Sequence, residues 1–347
     1  MISCILPTAR ESYPIIGLGN VHVLQPTLYS LERQTFRNFE LIIVDAVYPE
    51  KREWIEKRKW SFPIKYVPPH PNHSFWLRKK RWSVAGMLNT ALLYAEGELI
   101  VRLDDCCQLF DKDYLAKFWE GYKSGYFPLA MHIRFLEGKP ARLNREYLSK
   151  GYEAAWSPEA LPILKDVYGE EGLIRDSRYP LVKANGGRMV AYQNQYYGYS
   201  SVSLDAALKV NGWNELCDGQ KGLEDVEFGE RLVNAGYRNM FLLDVNLQVV
   251  EHEHKPIDWL LSKLNHCNYG LIQYNRRHGI YRANEKPFTL EDCEEIRREI
   301  CPKCDNLQRC LKEPLKGGFY IEGEDFSEWL DFAKNNTFNL REERLNV

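Results

Sequence analysis

Short, wholly apolar runs alternate with segments of helical period along the first hundred residues. Ile2 to Leu6, Leu41 to Val44, Ile64 to Val67 and Leu99 to Leu103 read as strands, the third closed by Pro68 and Pro69. Between them, Pro26 to Gln34 carries Leu28 and Leu31 on one helical face. Val84 to Ala95 repeats apolar residues at 84, 88, 91, 92 and 95, with Gly97 just beyond as a stop signal. Strands that are apolar on both faces and separated by helices predict a parallel sheet covered on both sides. In such sheets ligands bind beyond the carboxyl ends of the strands. Asp45 ends one strand and the pair Asp104 and Asp105 ends another, so the pattern predicts that they converge.

The pattern changes from about residue 138 to 199, which is rich in Tyr, Gly, Arg and Pro and poor in periodicity. A long irregular segment of this kind predicts a lid or binding loop. Ser201 to Leu204 then reads as a strand, Asp225 to Ala235 as a helix stopped by Gly236, and Phe241 to Val250 as a strand followed at once by EHEH. Beyond Lys255 the chain becomes more helical and more charged, over Trp259 to Arg277 and Leu290 to Ile300, before a Cys-rich turn and a polar tail.

Composition narrows the class. With 347 residues, 44% hydrophobic and 27% charged, the chain is long enough for one large domain with an annex, or for two. A formal net charge of -2 gives no electrostatic reason to expect a nucleic-acid partner. No apolar run approaches the roughly 18 to 20 residues of a transmembrane helix. The opening MISCILPTAR lacks a basic region and a small-residue cleavage site and reads as a first strand. The nine cysteines do not resemble a secreted disulfide framework. A cytoplasmic location is expected, with peripheral membrane contact left open.

Three sets of candidate residues stand at element ends: Asp104 and Asp105, Glu224 and Asp225, and the histidines of HEH at 252–254. Adjacent aspartates at the end of an apolar strand cannot both hide in a core. A hard cation such as Mn²⁺ or Mg²⁺ takes carboxylate and phosphate oxygens, and Mn²⁺ also accepts imidazole. Carboxylates from one strand end and His252 or His254 from another suit a metal-diphosphate site, which leaves Glu224 and Asp225 for proton transfer. The competing structural readings are a helix-capping turn for Asp104 and Asp105, and favourable N-terminal helix charge for Glu224 and Asp225.

On these motifs the chain resembles the family 2 glycosyltransferases. PTAR at 7–10 is similar to the family's opening strand-turn, and LERQTFRNFELIIVD at 31–45 to the segment that ends its second strand. GMLNTALLYAEGELIVRLDD at 86–105 is similar to the helix and strand leading into the D-x-D motif. NGWNE at 211–215 with GLEDVEFGERLVNAG at 222–236 is similar to the acceptor-side block. The resemblance spans about residues 1–137 and 200–255. It implies an α/β GT-A fold, Rossmann-like, with a mostly parallel central sheet flanked by helices and a C-terminal helical extension. The implied division is 1–255 for the transferase domain, with a nucleotide-sugar half at 1–137 and an acceptor half at 138–255, and 256–347 for the extension.

The implied activity moves a hexosyl or N-acetylhexosaminyl group from a nucleotide-sugar donor, UDP-linked by family frequency, to a hydroxyl of a glycan, lipid-linked or other acceptor, with inversion. Asp45 is expected to contact the donor base, with Pro7, Thr8 and Arg10 lining the nucleotide pocket beside Asn89. Asp104 is expected at the ribose and Asp105 at the metal, completed by His252 or His254. Asp225 is expected as general base, with Glu224 orienting a substrate. The chain departs from the family pattern at Cys106 and Cys107, where further acidic residues are usual, so either Asp105 or Cys106 takes the metal. It also departs at Val84, where a lysine is usual and Arg81 or Lys80 substitutes.

A metal-dependent nucleotidyltransferase and a sugar-nucleotide or glycan-binding protein without activity are the alternatives. Late in the chain Cys293, Cys301, Cys304 and Cys310, with CPKC at the centre, form a candidate structural Zn²⁺ site, against free thiols or disulfides. The aromatics Trp156, Tyr192, Tyr196, Tyr197 and Tyr199 suit either stacking on an acceptor sugar or packing. NRRHGIYR at 275–282 reads as a solvated helix end or as an anion contact.

Overall fold

The computed structural model describes residues 1–11, 22–105, 107–109, 111–135, 173–192, 196, 198–219, 222–251, 268–303 and 324–347. The first half builds the expected parallel sheet. Strands β1 (Ile2–Thr8), β2 (Phe39–Asp45), β3 (Ile64–Val67) and β4 (Leu99–Arg102) lie in the order β3-β2-β1-β4, all parallel. Helices α1 (Gln25–Glu32), α2 (Arg52–Glu56), α3 (Phe75–Arg78) and α4 (Val84–Tyr94) connect them. β1, β2 and β4 are buried at every position, as their unbroken apolar text requires.

A second sheet follows. β5 (Cys107–Leu109), helix α5 (Tyr114–Lys123), β6 (Phe127–Phe135), β7 (Leu173–Arg175), α6 (Tyr179–Ala184) and β8 (Arg188–Val190) precede β9 (Ser201–Ser203), α7 (Leu204–Lys209), α8 (Glu224–Asn234) and β10 (Phe241–Glu251). β9 closes the first sheet, antiparallel to β4, while β10 lies between β5 and β6 in the order β5-β10-β6-β7. β7, α6 and β8 are short elements inside the stretch expected to be irregular.

α9 (Asn268–His278), α10 (Leu290–Glu295), α11 (Glu324–Asn335) and α12 (Leu340–Glu343) follow β10. They share cores with the α/β body. Trp76, Leu216 and Cys217 pack with Leu271, Phe288, Trp329 and Phe332, and Leu340 joins the core beneath α4. Arg344 reaches the last carbonyls of α4, bonding Leu92 O and, at 2.7 Å, Ala95 O. The boundary expected at 255 falls outside the described residues. No described helix is long and apolar enough to cross a membrane.

The NGWNE turn locks the two halves together. Asn89 of α4 donates from Nδ2 to Trp213 O and Glu215 Oε1, and its Oδ1 accepts the Trp213 N–H at 2.7 Å. Gly212 has φ +70°, and a Cβ there would stand 2.2 Å from Asn89 Oδ1, so only glycine fits. Asp218, at the end of this loop, caps the N-terminus of α4, accepting from Ala85 N, Gly86 N and Ser83 Oγ. Its burial, with Glu215 nearby, pushes its pKa up to about 8.

Candidate active site

The carboxyl edge of the parallel sheet gathers the predicted acids. In register, Thr8 stands opposite Asp45, with β4 on the other side of β1. Beyond the end of β4, Asp105 turns back over β1. Its Oδ1 accepts from Arg10 Nε and its Oδ2 from Thr8 Oγ1, both at 2.9 Å. Pro7, Thr8 and Arg10 are buried at the end of β1 and just beyond it. The Asp105 side chain is 12% exposed, whereas that of Asp104 is 38% exposed. Asp105 can therefore hold a metal only by giving up the Thr8 or Arg10 donor, while Asp104 is held only by Arg102 Nη2 at 3.5 Å.

Glu224 and Asp225 begin α8 on the facing side. Leu223, just before them, has φ +70°, a left-handed conformation that costs a residue with a Cβ about 1–2 kcal/mol. Strain of this kind concentrates at functional positions. The acidic first turn, Glu224, Asp225 and Glu227, suits the positive end of the helix dipole. Asp225 Oδ2 accepts from Gly198 N at 3.0 Å and Oδ1 from Val226 N at 2.7 Å. Gly198 wedges between the two acidic pairs. A Cβ there would lie 3.2 Å from Asp104 Oδ2.

Between them lies Arg102, the last residue of β4 and 6% exposed. Its Nη2 bonds Glu224 Oε1 at 3.2 Å as well as Asp104. Burial and the Glu224 carboxylate push the Asp225 pKa up to about 7 against the pull of Arg102 and the Val226 N–H. Asp104 is also raised, by burial and by the Glu251, Asp105 and Glu224 carboxylates, against Arg102. Glu251, the last residue of β10, pairs in register with Cys107, two residues beyond Asp105. Tyr199 hydrogen-bonds Glu251. The carboxylates Asp104, Asp105, Glu224, Asp225 and Glu251 outnumber the guanidiniums Arg10 and Arg102 that face them. Carboxylate oxygen with excess negative charge is the chemistry a hard divalent cation prefers.

Other predicted residues lie elsewhere or are already engaged. Asp45 is fully buried and its four acceptor positions are filled, by Val47 N, by Lys51 Nζ on both oxygens, and by Tyr66 OH at 2.5 Å. A nucleotide base can reach it only by displacing one of these donors. Asn89 is spent on the NGWNE turn and has no donor left for a nucleotide. Arg81 pairs with Glu328 of α11 at 3.1 Å, away from the acidic cluster. His252, His254 and Cys106 lie outside the described residues. Among the described residues no group of three or more His, Cys, Asp or Glu is arranged around a common metal position.

Cys293 and Cys301 are buried in the third core, and burial raises the Cys293 pKa to about 12. Cys304 and Cys310 lie outside the described residues. Tyr196 and Tyr199 are buried packing residues, Tyr192 is 70% exposed, and Trp156 and Tyr197 are outside the described residues. The basic run is taken up by carboxylates: Arg276 by Glu230, Arg277 by Glu295 and Glu299, and His278 by Glu295. Sequence reasoning passed over three residues. Arg102 stands inside RLDDCC, and Glu251 opens EHEH, so both signals were present. Lys51 gave none, because its pairing with Asp45 is made only by the turn after β2.

No protein-family model matches this chain, and no curated protein does. Solved structures give distant likenesses. A crystal structure of S. aureus TarS 1–349 is 14% identical, with a TM-score of 0.44 over 72% of this chain. The chain spans 60% of that structure's length. TarS 1–349 in complex with UDP is 12% identical, with a TM-score of 0.48 over 99% of this chain and 89% of that one. Glucosyl-3-phosphoglycerate synthase from Mycobacterium tuberculosis, in complex with Mn²⁺, UDP and phosphoglyceric acid, is 13% identical, with a TM-score of 0.33 over 75% and 72%. At such identities and scores, the chemistry of the site rests on its own geometry: two acidic pairs, one beyond β4 and one opening α8, joined by a buried arginine.

Proposed function

We propose that this protein is a glycosyltransferase that moves a sugar from a nucleotide-sugar donor, UDP-linked, to an acceptor hydroxyl with inversion. The observation that carries the reading is the division of labour between the two acidic pairs. Asp104 and Asp105 lie at the carboxyl edge of the parallel sheet, where such sheets bind nucleotides. Asp225 lies across the cleft with a pKa raised to about 7, where a carboxylate serves as a base at neutral pH. In this reading Asp225 takes the proton of the acceptor hydroxyl as its oxygen attacks the anomeric carbon. The bond from that carbon to the diphosphate breaks on the far side, so the configuration inverts. Gly198 and Val226 N–H groups fix the Asp225 carboxylate and leave one acceptor position on each oxygen for the incoming proton.

Asp104 and Glu251 would hold a divalent cation, Mn²⁺ or Mg²⁺, with Asp105 joining only on release of Thr8 or Arg10. Bound there, the cation supplies charge neutralisation for the departing diphosphate. Arg10 and Thr8 keep Asp105 fixed beside it. His252 and His254 follow Glu251 directly and are the proposed imidazole donors. The sugar class, hexosyl or N-acetylhexosaminyl, and a glycan or lipid-linked acceptor remain part of the proposal, as does a cytoplasmic location.

The test is release of nucleoside diphosphate from a panel of UDP-, GDP- and dTDP-sugars, with and without candidate acceptors, for the wild type and Asp225→Asn. Acceptor-stimulated release from a UDP-sugar that the substitution abolishes supports the reading. The departure from the family pattern at Cys106 and Cys107 favours a second reading, sugar-nucleotide or glycan binding without transfer. Tight UDP-sugar binding with no release under any condition would select it. Conversion of the nucleotide-sugar with pyrophosphate into nucleoside triphosphate and sugar phosphate, unaffected by Asp225→Asn, would point instead to a nucleotidyltransferase.

A further inference from the structure

We propose that Arg102 is a positioning residue for the Glu224–Asp225 pair, tying the donor-side carboxylate Asp104 to the side chain that takes the acceptor proton. The inference rests on the glycosyltransferase reading of the same cleft. Its grounds are the environment of the guanidinium. Leu99, Ile100 and Val101 are apolar and buried, and the strand then ends on an arginine 6% exposed. A buried cation is retained only where partners or function offset its desolvation.

The protein contains its own control. Arg231 of α8 is also fully buried, and its fork is filled. Nε and Nη2 bond Glu227 at 2.8 and 2.9 Å, and Nη1 and Nη2 bond Val210 O and Gly212 O. That is the bidentate geometry of an arginine that holds a fold together. Arg102 is different. Among the described residues only Nη2 has partners, Glu224 at 3.2 Å and Asp104 at 3.5 Å, while Nε and Nη1 are buried with none. A structural arginine with two empty donors is a poor clip. A positive charge suspended between two acidic pairs acts through its field.

The groups that face Asp225 are Glu224 on its own helix, Arg102 and Asp104 from β4 and its end, and Tyr196 and the Gly198 N–H from the 196–200 segment. Arg102 is the one cation among these groups. It keeps Glu224 in place, with its carboxylate turned to the guanidinium, and limits how far Glu224 and burial raise Asp225. Asp104 shares the same nitrogen. A cation bound at Asp104 would therefore free Arg102 to turn toward Glu224, so the filling of the donor side would be felt at the base.

The experiment is a carbon-13 carboxyl titration, with Asp225 assigned by its loss in Asp225→Asn, on the wild type, Arg102→Gln and Arg102→Lys. Loss of the charge should move the Asp225 midpoint up by about one unit or more, while lysine restores most of the shift. The acidic limb of kcat/KM should move in parallel. Because Arg102→Gln leaves Glu224 buried and unpaired, the same substitution is repeated in a Glu224→Gln background. There it must raise the midpoint relative to Glu224→Gln alone. An unmoved midpoint in both backgrounds, or a lysine variant displaced as far as glutamine, overturns the proposal. A protein that shows the Arg102-dependent shift but transfers no sugar refutes the glycosyltransferase reading and leaves the hold on Asp225 standing. One that transfers sugar with an unmoved midpoint refutes Arg102 alone.

Discussion

Asp225→Asn should make this protein more stable and inactive at once, with a sign that depends on pH. The folded-state pKa of Asp225 is about 7, against 3.8 for an unperturbed aspartate. A carboxylate raised in this way stabilises the fold fully only below the unfolded value. That contribution is lost as pH rises through the folded value. The shift is about 3 units, so at pH 8 the ionised side chain costs up to about 4 kcal/mol at about 1.4 kcal/mol per unit. Asparagine removes that cost. It also loses an acceptor, because Gly198 N and Val226 N each donate to a different Asp225 oxygen and an amide offers only one. An unsatisfied buried donor costs about 1–3 kcal/mol. The net gain at pH 8 is then about 1–3 kcal/mol, falling to a net loss near pH 4, where wild-type Asp225 is already protonated. The assay is urea unfolding at pH 4, 6 and 8, alongside donor turnover, which should fall by about 10²–10⁴-fold. A variant destabilised equally at all three pH values, or one that keeps its turnover, would refute the reasoning.

Three further perturbations probe the frame around the site. His73 is buried between Glu215 at 2.7 Å and Glu343 at 2.9 Å, and these partners raise its pKa to about 9 against its burial. Its stabilisation is complete below about pH 6.5 and lost as pH rises toward 9, so unfolding midpoints should fall across that window and stay flat in His73→Gln. Lys51→Met leaves Asp45 buried and unpaired and should cost about 3–5 kcal/mol, whereas Asp45→Leu with Lys51→Met should recover most of it, read by a double-mutant cycle in urea. Asp218→Ala strips the cap from α4 and should cost about 0.5–2 kcal/mol near pH 4, and less as pH rises through about 8, where the ionised carboxylate already destabilises the wild type, read by urea unfolding at both pH values.

How much of this was legible in the text of the chain follows from what each residue's role depends on. Leu41 to Val44 and Leu99 to Val101 announce buried parallel strands because both faces are covered, and their ends place Asp45 and Asp104 without further information. Asp225 was legible because it opens a helix whose period is clear. Phe127 to Phe135 gave no comparable signal. Its FPLAMHIRF text mixes a proline, a histidine and an arginine into a strand that pairs with β10 on one side and β7 on the other. Asp45 looked available because the sequence cannot say that Lys51, six residues on, folds back into the same buried point. Asn89 looked available for the same reason: its amide bonds Trp213 and Glu215, more than a hundred residues away. Arg102 was visible as a residue, but its isolation between two acidic pairs exists only once β4 and α8 face one another.

The central claim is that the acidic cleft binds a nucleoside diphosphate through a divalent cation. The most direct measurement is a calorimetric titration of the protein with UDP, with Mn²⁺ present and with Mn²⁺ removed by chelation, repeated on Asp104→Asn. The account predicts UDP binding that needs the metal and is lost in the variant. Binding that is indifferent to Mn²⁺ and to Asp104, or no binding of UDP at all, would contradict it.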